Sequence, residues 1–240
     1  MKKYAVIVAG GAGVRMGSSL PKQFMVLQGK PVLWHTLTVF LTAFSDIQII
    51  LVLPADYIET GNSIVAMVSA PHRIQITTGG ETRFQSVKNG LKLIEKKSIV
   101  FVHDGVRCLI TPQLIRRCYE VAFEKGNAIP ATTAIDSIRI EKGNGNEIID
   151  RNKVRIIQTP QTFLAELLLN AFEQEYSPAF TDEAAVVEKN GVAIHLIDGE
   201  TNNIKITTPV DLLIAEKILE GKSFIPQNLH ESKNTDHKAV

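Results

Sequence analysis

Tyr4-Ala5-Val6-Ile7-Val8-Ala9 runs without interruption into Gly10-Gly11-Ala12-Gly13-Val14-Arg15-Met16-Gly17, and Pro21-Lys22-Gln23-Phe24 follows shortly after. Met1-Lys2-Lys3 looks like the basic start of a secretion signal, but the apolar run behind it stops at glycine too soon for a signal core or a membrane span. It reads as a buried strand. Glycines placed directly after a first strand allow backbone N–H groups to come close to a phosphate chain, an approach that bulkier residues would block. A glycine loop by itself is equally a flexible turn; Arg15 and Lys22 beside it shift the reading toward an anionic ligand.

Spacing tests two other glycine motifs: the P-loop fails, and a nicotinamide enzyme becomes a distant alternative. The P-loop requires lysine and a hydroxyl residue directly after its second glycine, and neither is present here. The dinucleotide fingerprint requires a third glycine in register, whereas Gly11-Ala12-Gly13-Val14-Arg15-Met16 ends on methionine. Its second strand would also end on an acidic residue suited to a ribose, and Leu51-Val52-Leu53-Pro54-Ala55-Asp56 does not supply one at the strand end.

Outward from the loop, short β-branched runs alternate with stretches of helical period. Residues 4–9, 48–53, 73–77, 99–103, 128–131 and 192–196 are expected as strands, and 31–43, 56–69, 83–96, 112–125 and 209–219 as helices. Pro31, Pro112 and Pro209 open three of these helices, where a missing N–H removes no hydrogen bond. The pattern predicts an α/β protein with a Rossmann-like, mostly parallel sheet and helices on both faces. The alternation fails between Asp136 and Ile157. There Ser137-Ile138-Arg139-Ile140 and Glu147-Ile148-Ile149-Asp150 flank Lys142-Gly143-Asn144-Gly145-Asn146, which is a β-hairpin signal. Such a hairpin, over 136–157, either lies along an edge of its own domain or projects as an arm toward a second subunit. The expected organisation is one domain over 1–221 and a disordered polar tail over 222–240.

Composition bounds the partners. A chain of 240 residues with 45% hydrophobic and 21% charged residues can bury a substantial core without disulfides. The formal charge of +1 provides no general attraction to nucleic acid or to an anionic membrane, so an anionic ligand must be small and held by local basic groups. Cys108 and Cys118 lack metal-ligand spacing, which fits plain thiols in a reducing, cytoplasmic compartment.

Other residues suit the same ligand. Gly79-Gly80 ends a strand and Ser86 lies early on the next helix, a turn able to read a base edge through backbone groups. Asp104 follows the buried run Ile99-Val100-Phe101-Val102 at the carboxyl end, where open α/β sheets place their ligands. A carboxylate there suits Mg²⁺. Lys205 alternates with Ile204 and Ile206 and so faces away from them if the segment is extended. Thr181-Asp182-Glu183 is either a substrate contact through Thr181 or a helix N-terminus. His103 reads as a packed or hydrogen-bonded histidine and not as a catalyst.

Taken together these segments resemble a known family. The loop 9–16 with Pro21-Lys22-Gln23-Phe24 is similar to the signature of sugar-phosphate nucleotidyltransferases, and its Pro-Lys-Gln variant resembles the cytidylyltransferases acting on 2-C-methyl-D-erythritol 4-phosphate. The resemblance continues through Gly79-Gly80-Glu81-Thr82-Arg83-Phe84-Gln85-Ser86-Val87, Val102-His103-Asp104-Gly105-Val106-Arg107, Asp150-Arg151, Gln158-Thr159-Pro160-Gln161, Thr181-Asp182-Glu183-Ala184 and Asn203-Ile204-Lys205-Ile206-Thr207, covering about residues 4–220 in order.

The resemblance implies attack by a sugar-alcohol phosphate on the α-phosphorus of CTP, with release of pyrophosphate. A phosphate monoester with a second pKa of about 6 is already a nucleophile at neutral pH and needs no general base. What must be supplied is positive charge, alignment and a divalent cation such as Mg²⁺. By similarity Arg15, Lys22, Arg151 and Lys205 are the catalytic basic groups. Ala9, Gly10, Gly11, Ala12, Gly13, Gly79, Gly80, Ser86 and Asp104 bind nucleotide, with Asp104 as metal ligand. Arg107, Ser137, Arg151, Thr159, Thr181 and Lys205 contact the acceptor. The family is a homodimer whose hairpin arm crosses to the partner and completes its pocket. Two positions depart from the family pattern: Ser137 stands where threonine is usual, keeping the hydroxyl, and Cys108 stands where proline usually follows the arginine, which leaves the backbone after Arg107 less restrained. Ribitol 5-phosphate cytidylyltransferases share the glycine loop and the Pro-Lys-Gln element, so that acceptor is the alternative. A non-catalytic nucleotide-binding regulator is the distant one, disfavoured by retention of Arg15, Lys22, Asp104 and Lys205.

Overall fold

The structure, a computed structural model, describes residues 1–11 and 20–222. Ala12, Gly13 and Arg15, together with nearly all of the tail, lie outside the described residues. In chain order the elements are β1 (Lys2–Val8), β2 (Val26–Leu27), β3 (Lys30–Pro31), α1 (Val32–Ala43), β4 (Gln48–Leu53), α2 (Ile58–Val65), β5 (Ile74–Thr78), α3 (Arg83–Leu91), β6 (Ser98–Asp104) and α4 (Pro112–Lys125). They continue with β7 (Asn127–Thr133), β8 (Ile138–Lys142), β9 (Gly145–Ile149), β10 (Arg155–Ile157), β11 (Gln161–Leu164), α5 (Ala165–Ala171), α6 (Glu183–Lys189), β12 (Leu196–Asp198) and α7 (Pro209–Lys222).

The central sheet follows the order β10-β7-β11-β6-β1-β4-β5, with β12 paired to β7. Pairings β1 with β4, β1 with β6, β4 with β5 and β7 with β12 are parallel. β11 is antiparallel to both β6 and β7, and β10 to β7, so the sheet is mostly parallel with β10 and β11 reversed. The parallel strands are buried on both faces, which explains their near-continuous apolar character. Alternation within them sorts residues to two cores. Ala5 and Ile7 of β1, Ile49, Leu51 and Leu53 of β4, and Ile99 and Phe101 of β6 face α1, α2 and α4. Tyr4, Val6, Ile50, Val52, Val100 and Val102 face α3, α5 and α6. A third cluster joins Leu27, Val32, Val106, Cys108 and Leu109 to Ile206 and to Ala215 of α7, closing the C-terminal helix over the segments that follow β1 and β6.

Several expected boundaries move for identifiable reasons. α3 ends at Leu91 and not near Lys96, because Leu93 and Ile94 donate to carbonyls three residues back and the last turn tightens. The expected strand over 192–196 begins only at Leu196. Before it, the Asn127 side chain replaces the backbone ladder, donating to Ala193 O at 2.8 Å and accepting from His195 N at 2.8 Å. β8 and β9 pair with each other in a separate two-stranded sheet, in register from Ile138 opposite Ile149 to Lys142 opposite Gly145. Ile140 and Ile148 on this hairpin and Ile135 and Ile156 at its base are exposed.

Candidate active site

The carboxyl ends of β1 and β6 lie on either side of the point where the strand order turns outward in both directions, the place where open α/β sheets form a crevice. A cavity of about 490 Å³ opens there, and Gly10, Gly11, Lys22, Gly80, Asp104 and Lys205 are among its lining residues. Each of the six was named from the sequence.

The first wall is built from β1 and the turn 22–24. Ala9 donates its N–H to Val52 O at 3.0 Å, which fixes the strand end. Gln23, buried, donates from Nε2 to Ala9 O at 2.8 Å and so binds the Pro-Lys-Gln segment to the same point. Lys22 is thereby placed in the cavity wall with only 9% of its surface exposed. A Cβ added at Gly10 or Gly11 would meet nothing within 4 Å. The need for glycine here does not come from packing against described residues, and it matches the open face a phosphate chain would approach.

The opposite wall is the turn into α3. Ser86 Oγ accepts from Gly80 N at 3.1 Å and donates to Thr82 O at 3.0 Å, while Thr82 Oγ1 caps the helix by accepting from Gln85 N at 3.1 Å. A Cβ on Gly79 would lie 2.9 Å from Ser86 Oγ, so this glycine is required by the serine that secures the turn. Ser86 lines the cavity while serving that structural bond.

On the floor, Asp104 receives three cations: Arg83 at 3.3 Å on one oxygen, Lys205 at 3.0 Å and Arg107 at 3.4 Å on the other. Burial alone would raise its pKa, but these charges outweigh burial and hold the carboxyl well below the usual carboxylate range. Arg83 also pairs with Glu183, which is buried. Burial lowers the Arg83 pKa and the two carboxylates more than reverse that, so the guanidinium stays charged. Burial raises Glu183, against the pull of Arg83. Three cations thus face two carboxylates, with Lys22 as a further cation in the wall. No cluster of three acidic, histidine or cysteine ligands exists among the described residues. A divalent cation here would have a single carboxylate from the protein, Asp104, and would need phosphate oxygens in its remaining positions.

Arg107 is anchored despite the cysteine that follows it. Its N–H donates to Asp104 O at 3.0 Å and its Nη1 to Asn203 O at 2.8 Å, and Cys108 is packed into the third core cluster. Thr159 lies beneath Asp104, with Oγ1 accepting from Asp104 N at 3.1 Å. His103 is wholly buried and its imidazole is pushed down by burial to about 4 from the ordinary 6.5. The unfolded chain therefore binds a proton between pH 6.5 and 4 that the folded chain does not, so this contribution to stability is complete above pH 6.5 and is lost as pH falls. The raised carboxyl of Glu183 acts in the opposite sense, so the ring itself is the better reporter. Imidazole carbon and proton shifts followed by NMR are expected to stay constant from pH 7.5 down to about 5. A titration midpoint near 6.5 would show that the ring is not held neutral.

Thr181, Ser137 and Arg151 do not line this cavity. Thr181 is exposed, and the N-cap of α6 is Asp182, whose carboxylate accepts from Ala185 N at 2.9 Å. Ser137 is exposed at the hairpin base, and Arg151 donates to Ile135 O at 2.6 Å. Both stand on the arm, away from their own chain's pocket. Sequence reading named Gln23, Arg83, Glu183 and Asn203 only as letters within motifs. The signal available was chemical type: an amide beside the lysine, and an arginine and a glutamate too far apart in sequence for their pairing to be foreseen.

Main-chain turns opened by glycine and a cationic floor, at the carboxyl edge of a mostly parallel sheet, define a nucleotidyltransferase of the α/β class. Within that class, the chain belongs to the 2-C-methyl-D-erythritol 4-phosphate cytidylyltransferase family, whose model matches residues 4–221. It is 47% identical over 219 residues to the cytidylyltransferase of that name from Bacteroides thetaiotaomicron, covering 91% of this chain and 100% of the relative. The Bacteroides fragilis enzyme of the same name is 45% identical with the same coverage. Among solved structures, 4-diphosphocytidyl-2C-methyl-D-erythritol synthase from Anaerococcus prevotii superposes with a TM-score of 0.79 at 28% identity, covering 91% of this chain and 98% of that one. The Francisella tularensis enzyme gives 0.74 at 30% identity, with 90% and 99% covered.

Proposed function

We propose that the protein transfers the cytidylyl group of CTP to 2-C-methyl-D-erythritol 4-phosphate, giving 4-diphosphocytidyl-2-C-methyl-D-erythritol and pyrophosphate in the non-mevalonate route to isoprenoid precursors. The observation that carries this reading is the cationic floor around Asp104 facing two glycine turns, in a chain matched to the family from end to end of its fold. An oxygen of the acceptor's phosphate forms a bond to the α-phosphorus as the bond from that phosphorus to the pyrophosphate oxygen breaks. No proton need move, because the acceptor is already dianionic. Gly10, Gly11, Ala12, Gly13, Gly79 and Gly80 are the nucleotide's backbone contacts, Ala9 fixes the start of the first turn through its bonds to Val52 and Gln23, Ser86 supports the second turn, and Arg15 and Lys22 neutralise charge at the α-phosphate and the leaving group.

Lys205 holds phosphate at the centre, while Arg107 and Thr159 shape the acceptor side from below. Ser137 and Arg151 reach the acceptor from a partner's hairpin, and Thr181 borders it. Asp104 would hold Mg²⁺, which when bound shields the triphosphate and withdraws charge from the phosphorus under attack. No described helix is long and apolar enough to cross a membrane. A cytoplasmic site of action agrees with the two cysteines, which are buried and form no disulfide.

Pyrophosphate release is expected to require CTP, the methylerythritol phosphate and Mg²⁺ together, and to cease when EDTA exceeds the metal. Equal turnover with ATP would remove the cytidine assignment, equal turnover with ribitol 5-phosphate the acceptor assignment, and full activity in EDTA the metal.

A further inference from the structure

We propose that His103 is a positioning residue for this transfer: its two ring nitrogens link the Thr159 hydroxyl to the Arg107 carbonyl and so hold Asp104, Arg107 and Thr159 as one unit beneath the cavity. The proposal rests on the cytidylyltransferase reading given above.

The direction of every bond in the unit follows from the chemistry of its ends. His103 Nε2 lies 3.1 Å from Arg107 O, and a carbonyl only accepts, so the ring hydrogen is on Nε2. Thr159 Oγ1 lies 3.1 Å from the backbone N of Asp104, which only donates, so the hydroxyl accepts there. Its own hydrogen then points to His103 Nδ1, 3.0 Å away, the bare nitrogen of the ring. The chain therefore runs from the Asp104 amide to the Thr159 hydroxyl, through the imidazole, and back to Arg107. Asp104 and Arg107 are the two ends of a turn closed by Arg107 N–H on Asp104 O at 3.0 Å. The imidazole bridges that turn from below, with the Phe40 ring of α1 packed against it at 5.0 Å between centroids.

The same lattice extends to the segment before Lys205. Asn203 is fully buried, donates from Nδ2 to Thr159 O at 2.9 Å, and offers its carbonyl to Arg107 Nη1 at 2.8 Å. Two of the cations on Asp104, those from Arg107 and Lys205, are thus aligned through groups that His103 ties together. A further consequence concerns Thr159. With its one hydrogen committed to the ring and its side chain buried, it acts on the acceptor site by holding Asp104 and not by donating to the acceptor.

The test uses full-length protein with CTP, Mg²⁺ and 2-C-methyl-D-erythritol 4-phosphate, assayed well below the thermal midpoint of every variant. His103→Leu is expected to lower kcat on the order of 10-fold or more, the scale of a small misplacement of reacting groups, with CTP affinity by calorimetry changed less than about twofold. His103→Asn, which keeps an acceptor near the Nδ1 position, is expected to recover part of the loss. Thr159→Val removes the hydroxyl at nearly constant shape. Combined with His103→Leu it is expected to be no slower than the slower single variant, because both cut one chain. If His103→Leu does not fold, the cycle is made with His103→Asn. Losses that multiply, a His103→Leu kcat equal to wild type, or CTP affinity falling in step with kcat would each overturn the positioning role. Wild-type protein inactive on these substrates would instead overturn the cytidylyltransferase reading, and the proposal with it.

Discussion

Lys22→Ala is expected to lower kcat on the order of 10²-fold or more while raising the KM for CTP far less. The lysine is buried in the wall of the cavity and is carried by a turn that Gln23 fastens to the end of β1. A cation fixed in place before reaction needs little reorganisation as negative charge moves onto the leaving pyrophosphate, so its effect is larger in the transition state than in the ground state. Arg15→Ala should behave in the same way if the loop carries it to the same phosphates. Steady-state kinetics with varied CTP separates the alternatives. A Lys22→Ala enzyme with wild-type kcat and a much raised KM would make the lysine a simple nucleotide anchor.

The second large effect is a rescue. Arg151→Ala and Lys22→Ala homodimers are each expected to be nearly inactive, whereas the mixed dimer should recover one working site of its two. In that dimer the Lys22 of one chain meets the Arg151 of the other, both unchanged. The basis is that β8 and β9 pair only with each other, that isoleucines at 135, 140, 148 and 156 are exposed, and that Arg151 does not line the pocket of its own chain. Co-expression with two affinity tags and isolation of the mixed species allows a direct assay. Activity no higher than in the parent homodimers would place the arm on its own subunit and leave the transfer chemistry standing.

The parallel half of the sheet was legible because strands buried on both faces are nearly continuous in apolar residues, as in 48–53 and 99–103. β11 was not. Gln161-Thr162-Phe163-Leu164 is short, follows a proline and leads straight into α5, and nothing in its composition marks it as a strand that runs against both its neighbours. α5 and α6, seven residues each, are too short for helical period to stand out. In the site, the glycines and Asp104 were readable at strand ends, Lys205 by alternation and Lys22 by its place beside the glycine loop. The pairing of Arg83 with both Asp104 and Glu183 was not, because it depends on the starts of α3 and α6 meeting over one face of the sheet. Thr181 illustrates the remaining ambiguity: the neighbouring Asp182 took the helix cap.

The third core cluster bears on how the protein is made. Ile206 and Ala215 close against Leu27, Val32 and Val106, so the walls of the pocket from the first half of the chain stay without their outer cover until α7 leaves the ribosome. The nascent chain can add β4, β5 and β6 early, since each pairs with a strand already synthesised, whereas β7 waits for β10, β11 and β12. The apolar surface around Val106 to Leu109, once made, remains open to chaperones and proteases until α7 is available, and a chain lacking α7 would bear an exposed seam there.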